Sequence, residues 1–100
     1  MILEIAHFRV SPGNKAGFES AFEIAQTVLA GMPGYLDHKL YRCIKQNDEY
    51  RLLVHWKTLE DHTKGFRESP GFVQWRALLQ PFFSAPPAAL HYERVTAVPV

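Results

Sequence analysis

The stretch that decides the fold is Trp56–Phe83, WKTLEDHTKGFRESPGFVQWRALLQPFF. It holds both tryptophans and four of the seven phenylalanines. Thr58 stands where a helix cap is needed. Glu60 and Asp61 follow in the first turn, where the helix dipole favours negative charge. This predicts a short helix running to about Arg67. Ser69-Pro70 predicts a second start, with serine at the cap and proline in the first turn. On that second helix Phe72, Trp75, Leu78, Leu79, Phe82 and Phe83 form a wide apolar face. Pro81 interrupts this face, so the helix is expected to end near Gln80.

Upstream, Tyr50–Trp56 is a β-rich run in which Tyr50, Leu52, Val54 and Trp56 share one face. The polar connection Lys45–Glu49 joins it to a second such run, Tyr35–Ile44, and the pair reads as an antiparallel hairpin. Before the hairpin, Phe18, Ala21, Phe22, Ala25, Val28, Leu29 and Met32 recur at three- and four-residue spacing. That predicts an amphipathic helix over Lys15–Met32, with Asn14 as its cap and Gly31, Pro33 and Gly34 ending it. Met1–Val10 is apolar on both faces and reads as an interior strand. Downstream, Ser84–Pro87 links to a last strand, Ala88–Val95, and Thr96–Val100 is a tail.

The order β-α-β-β-α-β predicts an α+β fold of ferredoxin-like type: a four-stranded antiparallel sheet with both helices on one face. Helices on one side leave the other face open. Phe8, Leu40, Leu53 and His91 are assigned to that open face, with Glu4, Arg42, Arg51, His55 and Glu93 joining them. Such a face is too apolar to stay wet, and a homodimer packed sheet to sheet would cover it.

A chain of 100 residues fits one domain, 1–100, with a modest core. Hydrophobic residues make up 47% and charged residues 21%, which argues against disorder. The net charge of +1 gives no general attraction to nucleic acid or to an anionic membrane. No apolar run is long enough to span a bilayer. MILEIAHFRV lacks a basic leader and meets charge at Glu4, so no signal peptide is expected. The single cysteine, Cys43, permits no internal disulfide, and the expectation is a soluble, cytoplasmic protein. The five histidines lack tight ligand spacing and a carboxylate cluster, so no metal site is expected. Cys43 lacks a neighbouring base and is not read as a nucleophile.

With Trp56 closing a strand, the charged helix start Glu60-Asp61-His62 and the spacing of Phe66, Ser69 and Phe72, the chain resembles the antibiotic biosynthesis monooxygenase family. Pro33-Gly34-Tyr35 and His91-Tyr92-Glu93 also fit the resemblance, which covers nearly the whole chain. It implies a dimeric α+β barrel and, as the leading activity, cofactor-independent oxygenation of a small aromatic or quinol-type substrate. No cofactor is then expected beyond molecular oxygen as co-substrate. Such substrates form electron-rich anions, so the protein must supply an apolar pocket, a proton acceptor and a group that stabilises the anion. On this reading Trp56 is the pocket wall, with Leu52, Phe66 and Phe72 lining it. Arg76 stabilises the anion, and His62 or His7 moves the proton.

The polyketide-oxidising members carry an asparagine where this chain has Leu52. Haem-degrading members carry an asparagine, a tryptophan and an axial histidine where the nearest residues here are His7, Phe66 and Arg76. An arginine stays protonated and is no ordinary haem ligand, which makes haem degradation the weaker alternative. Isomerase or sugar-phosphate chemistry is a further alternative. Lys64, Arg67 and Arg76 would be available for it, without a glycine-rich nest.

Each of these residues also has a structural reading. Trp56 can be core packing. Arg76 can bury its stem and keep its head in water. His62 can be an exposed helix residue and His7 a satisfied core histidine, while His38, His55 and His91 fall on the sheet or at a dimer surface. The competing class is therefore a non-catalytic, stress-related protein that binds a small molecule on the same fold.

Overall fold

The computed structural model describes residues 1–96. Its elements are β1 (Ile2–Arg9), α1 (Lys15–Ala30), β2 (Tyr35–Arg42), β3 (Glu49–Trp56), α2 (Pro70–Leu79) and β4 (Ala88–Tyr92). One turn of π-helix, Asp61–Phe66, precedes α2, and a 3-10 turn, Gln80–Phe82, follows it. The sheet is fully antiparallel in the order β2-β3-β1-β4. This is the expected ferredoxin-like arrangement, with β1 central and both helices packed on one face. β4 stops at Tyr92 rather than Val95, and the expected tail beyond Thr96 lies outside the described residues.

Sequence signals account for most boundaries. Ser69 caps α2 as expected, its Oγ accepting from the Phe72 N–H at 3.2 Å, with Pro70 in the first turn. Thr58 and Asp61 cap each other. The Asp61 N–H donates to Thr58 Oγ1 and the Thr58 N–H to Asp61 Oδ2, each at 3.2 Å. The turn they open is π-type rather than α: the Arg67 N–H donates to the His62 carbonyl at 3.1 Å. Asn14 differs from expectation, because its side chain makes no capping bond. Its carbonyl instead receives the Phe18 N–H at 2.9 Å, so the backbone alone starts α1.

Register decides which sheet residues face the helices, because residues directly opposite one another share a face. Glu4 pairs with Val54 and His91, Phe8 with Tyr50, Leu40 with Leu52, and Arg42 with Tyr50. Glu4, Phe8, Leu40 and Arg42 thus share the face of the buried β3 row, and His91 shares it through Glu4, so all five lie on the helix side. This corrects the assignment of Glu4, Phe8, Leu40, Arg42 and His91 to the open face. Both faces of β1 are apolar, so composition alone could not choose between them. Arg51, Leu53 and His55 do lie on the open face, opposite His7, Ile5 and Leu3. Glu93 lies just past β4. The open face is still apolar, through Leu3, Ile5, Leu53, Leu90 and Tyr92.

The core lies between sheet and helices. Its aromatic centre is Phe18 of α1, whose ring centroid is 4.8 Å from Tyr50, 5.9 Å from Phe8 and 6.2 Å from Phe22. Such pairs each add about 0.5–1.5 kcal/mol beyond the burial of their area. At the start of β2, Gly34 has φ +82°, and a Cβ there would collide with the Asp61 carboxylate. Gly34→Ala should therefore strain the backbone and dislodge the Thr58–Asp61 cap. The expected loss is about 2–3 kcal/mol in a urea unfolding curve. An unchanged midpoint would show that the turn relaxes without loss.

Candidate active site

A cavity of about 610 Å³ opens between the sheet and α2. Glu4, Ala6, Phe8 and Leu52 form its sheet wall, and Phe72, Trp75, Arg76 and Leu79 its helix wall. His62, Phe66 and Arg67 close one end, and the Ser84–Ala88 segment crosses the other. The lining is mostly apolar with a few polar groups, which is the usual make-up of a small-molecule site.

The structure brings together His62, Arg76, Leu52, Phe66 and Phe72, all in the cavity wall. Trp56 sits one layer behind. It is fully buried, and its ring lies against His62 with centroids 5.4 Å apart and planes 26° from parallel. His7 is separate from the others. It lies on the open face, opposite Arg51 and Ala88 in the register, and the sheet stands between it and the cavity. Strand alternation causes this: in β1 the even-numbered Glu4, Ala6 and Phe8 turn inward, and His7 cannot turn inward with them. The expectation of His7 as a proton acceptor in the pocket is corrected on that ground.

Glu4 and His91 are the residues missed by reading the sequence. Glu4 is 6% exposed and His62 3%, an unusual pair to bury. Glu4 Oε1 accepts the Trp56 Nε1–H at 3.0 Å and lies 3.4 Å from His62 Nε2. His62 Nδ1 is 2.7 Å from His91 Nε2. The result is a contiguous cluster, Trp56–Glu4–His62–His91, hydrogen-bonded at both ends and in close contact between Glu4 and His62, which joins three strands and the π-turn. The detectable signal was period-two alternation, which groups Glu4 with Ala6 and Phe8.

Burial sets the protonation states. It pushes the Glu4 carboxyl above its ordinary value, opposed by the Trp56 hydrogen bond and the Arg67 charge. Burial also pushes His62 down to about 4, helped by the Arg67 charge and by His91. His91 is lowered by burial and then by Arg67. Near neutrality both imidazoles are thus uncharged, and only one proton can lie between His62 Nδ1 and His91 Nε2. At the rim, the exposed Arg76 donates from Nε to Gln80 Oε1 at 3.2 Å, and among the described residues no hydrogen bond engages its terminal guanidinium nitrogens. Among the described residues no group of three or more histidine, cysteine, aspartate or glutamate side chains could hold a metal ion. No described helix is long and apolar enough to cross a membrane.

Fold and site together define a small α+β domain with an apolar, arginine-rimmed cavity over a buried carboxyl–imidazole network. Residues 1–78 match the antibiotic biosynthesis monooxygenase family, and the chain belongs to it. It is 41% identical over 95 residues to YczJ, an uncharacterised protein of Bacillus subtilis (strain 168), covering 95% of this chain and 100% of that one. A candidate antibiotic biosynthesis monooxygenase of Bordetella bronchiseptica superposes with a TM-score of 0.91 at 35% identity, covering 95% of this chain and 97% of that one. SnoaB of Streptomyces nogalater, described as a cofactor-independent oxygenase, superposes with a TM-score of 0.84 at 21% identity, over 99% and 97% of the two chains. At that identity the likeness to SnoaB is one of fold.

Proposed function

We propose that this protein is a cofactor-independent monooxygenase, with molecular oxygen as co-substrate, acting on a small aromatic or quinol-type molecule held in the cavity. The observation that carries the reading is an apolar cavity of about 610 Å³ that has a buried carboxyl in its sheet wall and Arg76 in its helix wall. An oxygenase without a cofactor needs its substrate as an anion. An apolar wall, a proton acceptor and a guanidinium are the groups that favour that anion. Leu52, Phe66 and Phe72 would hold the rings, Trp56 would support the wall from behind, and Arg76 would stabilise the anion.

Oxygen uptake with a panel of hydroquinones and anthrone-like phenols tests this. Turnover is expected, and Arg76→Ala should lower kcat/KM by about 10-fold or more without lowering the melting temperature. A second reading is binding without turnover. It is favoured by Leu52, an apolar side chain where the family resemblance places asparagine in the polyketide-oxidising members. Absence of oxygen uptake across the panel, with ligands still raising thermal stability, would establish that reading instead.

We further propose that residues 1–100 work as one domain in the cytoplasm, as a homodimer packed through the open sheet face. Ile5 and Leu53 are paired at the middle of that face, with Leu90 beside Ile5. Ile5→Arg with Leu53→Arg should give a species of single-chain mass in analytical ultracentrifugation, whereas the parent should sediment at twice that mass. A parent that sediments as a monomer at micromolar concentration would refute the dimer.

A further inference from the structure

Resting on the oxygenase reading of this cavity, we propose that Glu4 is its general base, and that Trp56, His62 and His91 are positioning residues that hold its carboxylate ready. The geometry distinguishes Glu4 from His62, the more obvious candidate. Both ring nitrogens of His62 face protein groups, Nδ1 facing His91 Nε2 at 2.7 Å and Nε2 facing Glu4 Oε1 at 3.4 Å. Nδ1 is therefore taken by His91, and Nε2 sits beside the Glu4 carboxylate. Glu4 lines the cavity, and its Oε1 is occupied by the Trp56 Nε1–H at 3.0 Å. Among the described residues no hydrogen bond reaches Oε2, which makes it the acceptor available to a molecule in the cavity.

The hydrogen-bond directions agree. Indole nitrogen only donates, so Trp56 fixes Oε1 as an acceptor. If His91 donates through Nε2, His62 Nδ1 accepts, and His62 must carry its proton on Nε2, pointing at Glu4. The Trp56 N–H then holds one carboxylate oxygen, with His62 Nε2 3.4 Å from it, and the other oxygen is left in the apolar cavity. In the step itself a phenolic O–H bond of the substrate breaks and an O–H bond forms at Glu4 Oε2. The negative charge moves from the carboxylate to the substrate oxygen, within the field of Arg67 and Arg76. A carboxyl whose affinity for protons is raised by burial is a stronger base than an exposed one. The charged or titratable groups facing Glu4 are His62 of the π-turn, His91 of β4, Arg67 of the loop before α2 and Arg76 of α2 across the cavity.

Anaerobic binding of 1,8-dihydroxyanthrone tests the base apart from oxygen chemistry. In the parent protein the bound probe should show its anion spectrum, with a protonated-carboxyl band appearing in the infrared difference spectrum. In Glu4→Gln the probe should bind in its neutral form and that band should be absent. Aerobic turnover in Glu4→Gln should fall by about 100-fold, chiefly in kcat. His91→Gln should keep the anion spectrum but shift the pH at which the probe ionises, a change that loss of packing alone would not produce. An anion spectrum of equal intensity in Glu4→Gln would overturn the proposal. A parent that binds the anion but consumes no oxygen would overturn the oxygenase reading and leave Glu4 as the base.

Discussion

Trp56→Ala is expected to cost about 3–5 kcal/mol of folding stability, enough to leave a domain of this size largely unfolded at 37 °C. The ring is fully buried, and it contacts three others: Tyr35 edge-on at 6.3 Å, His62 face to face at 5.4 Å and Phe66 at 5.9 Å. Truncation would open a cavity where β3, the π-turn and the start of β2 meet. It would also remove the N–H that satisfies Glu4 Oε1. Trp56→Phe separates these two effects. Most of the ring volume stays, and the expected cost falls to about 1–3 kcal/mol, mainly from the buried carboxylate oxygen left without its donor. A Glu4→Leu, Trp56→Phe pair should recover part of that loss, because the unsatisfied oxygen is then absent. Urea unfolding of the parent, Trp56→Phe, Glu4→Leu and the double variant gives the cycle, with Trp56→Ala measured beside them. If Trp56→Phe costs as much as Trp56→Ala, the hydrogen bond rather than packing dominates. If neither costs more than about 0.5 kcal/mol, the buried ring contributes little to stability.

The same residue shows how far the sequence can be read. The fold was legible because each boundary had a local cause: Ser69-Pro70 at the start of α2, the three- and four-residue apolar spacing of α1, and the polar break between β2 and β3. The site was legible only where a residue's face followed from its own element. Arg76, Phe72 and Phe66 fall in the cavity wall because α2 and the π-turn turn one side toward the sheet. His7 and Glu4 were exchanged because β1 is apolar on both faces, and only its register with β3 shows which side meets the helices. His91 belongs to the site because antiparallel pairing sets it opposite Glu4, a relation between the two ends of the chain that no local pattern encodes. Non-local pairing assembles the candidate site, and local pattern carries the architecture.

The buried network should also make the protein acid-sensitive, with a sign that distinguishes its members. His62 has an ordinary value near 6.5 when unfolded and is pushed down to about 4 in the fold. Below pH 6.5 the unfolded chain takes up a proton that the folded chain refuses, so stability falls as pH drops, until His62 itself protonates near pH 4. This contribution is at most about 3 kcal/mol. His91 and His38 are also lowered, chiefly by burial, and act in the same direction. Glu4 acts in the opposite direction. Its value is raised in the fold, so protonating it favours the folded chain, and its penalty grows as pH rises from about 4.5 through the folded value. Urea unfolding at steps between pH 7.5 and 4 should therefore show stability declining below about 6.5. His62→Gln should flatten most of that decline. Glu4→Gln should be more stable than the parent near neutrality and should decline more steeply, since the opposing contribution is gone. A His62→Gln protein with the parent's slope would mean that His62 is not the buried neutral imidazole the geometry describes, and the hydrogen-bond directions assigned to Glu4 would fail with it.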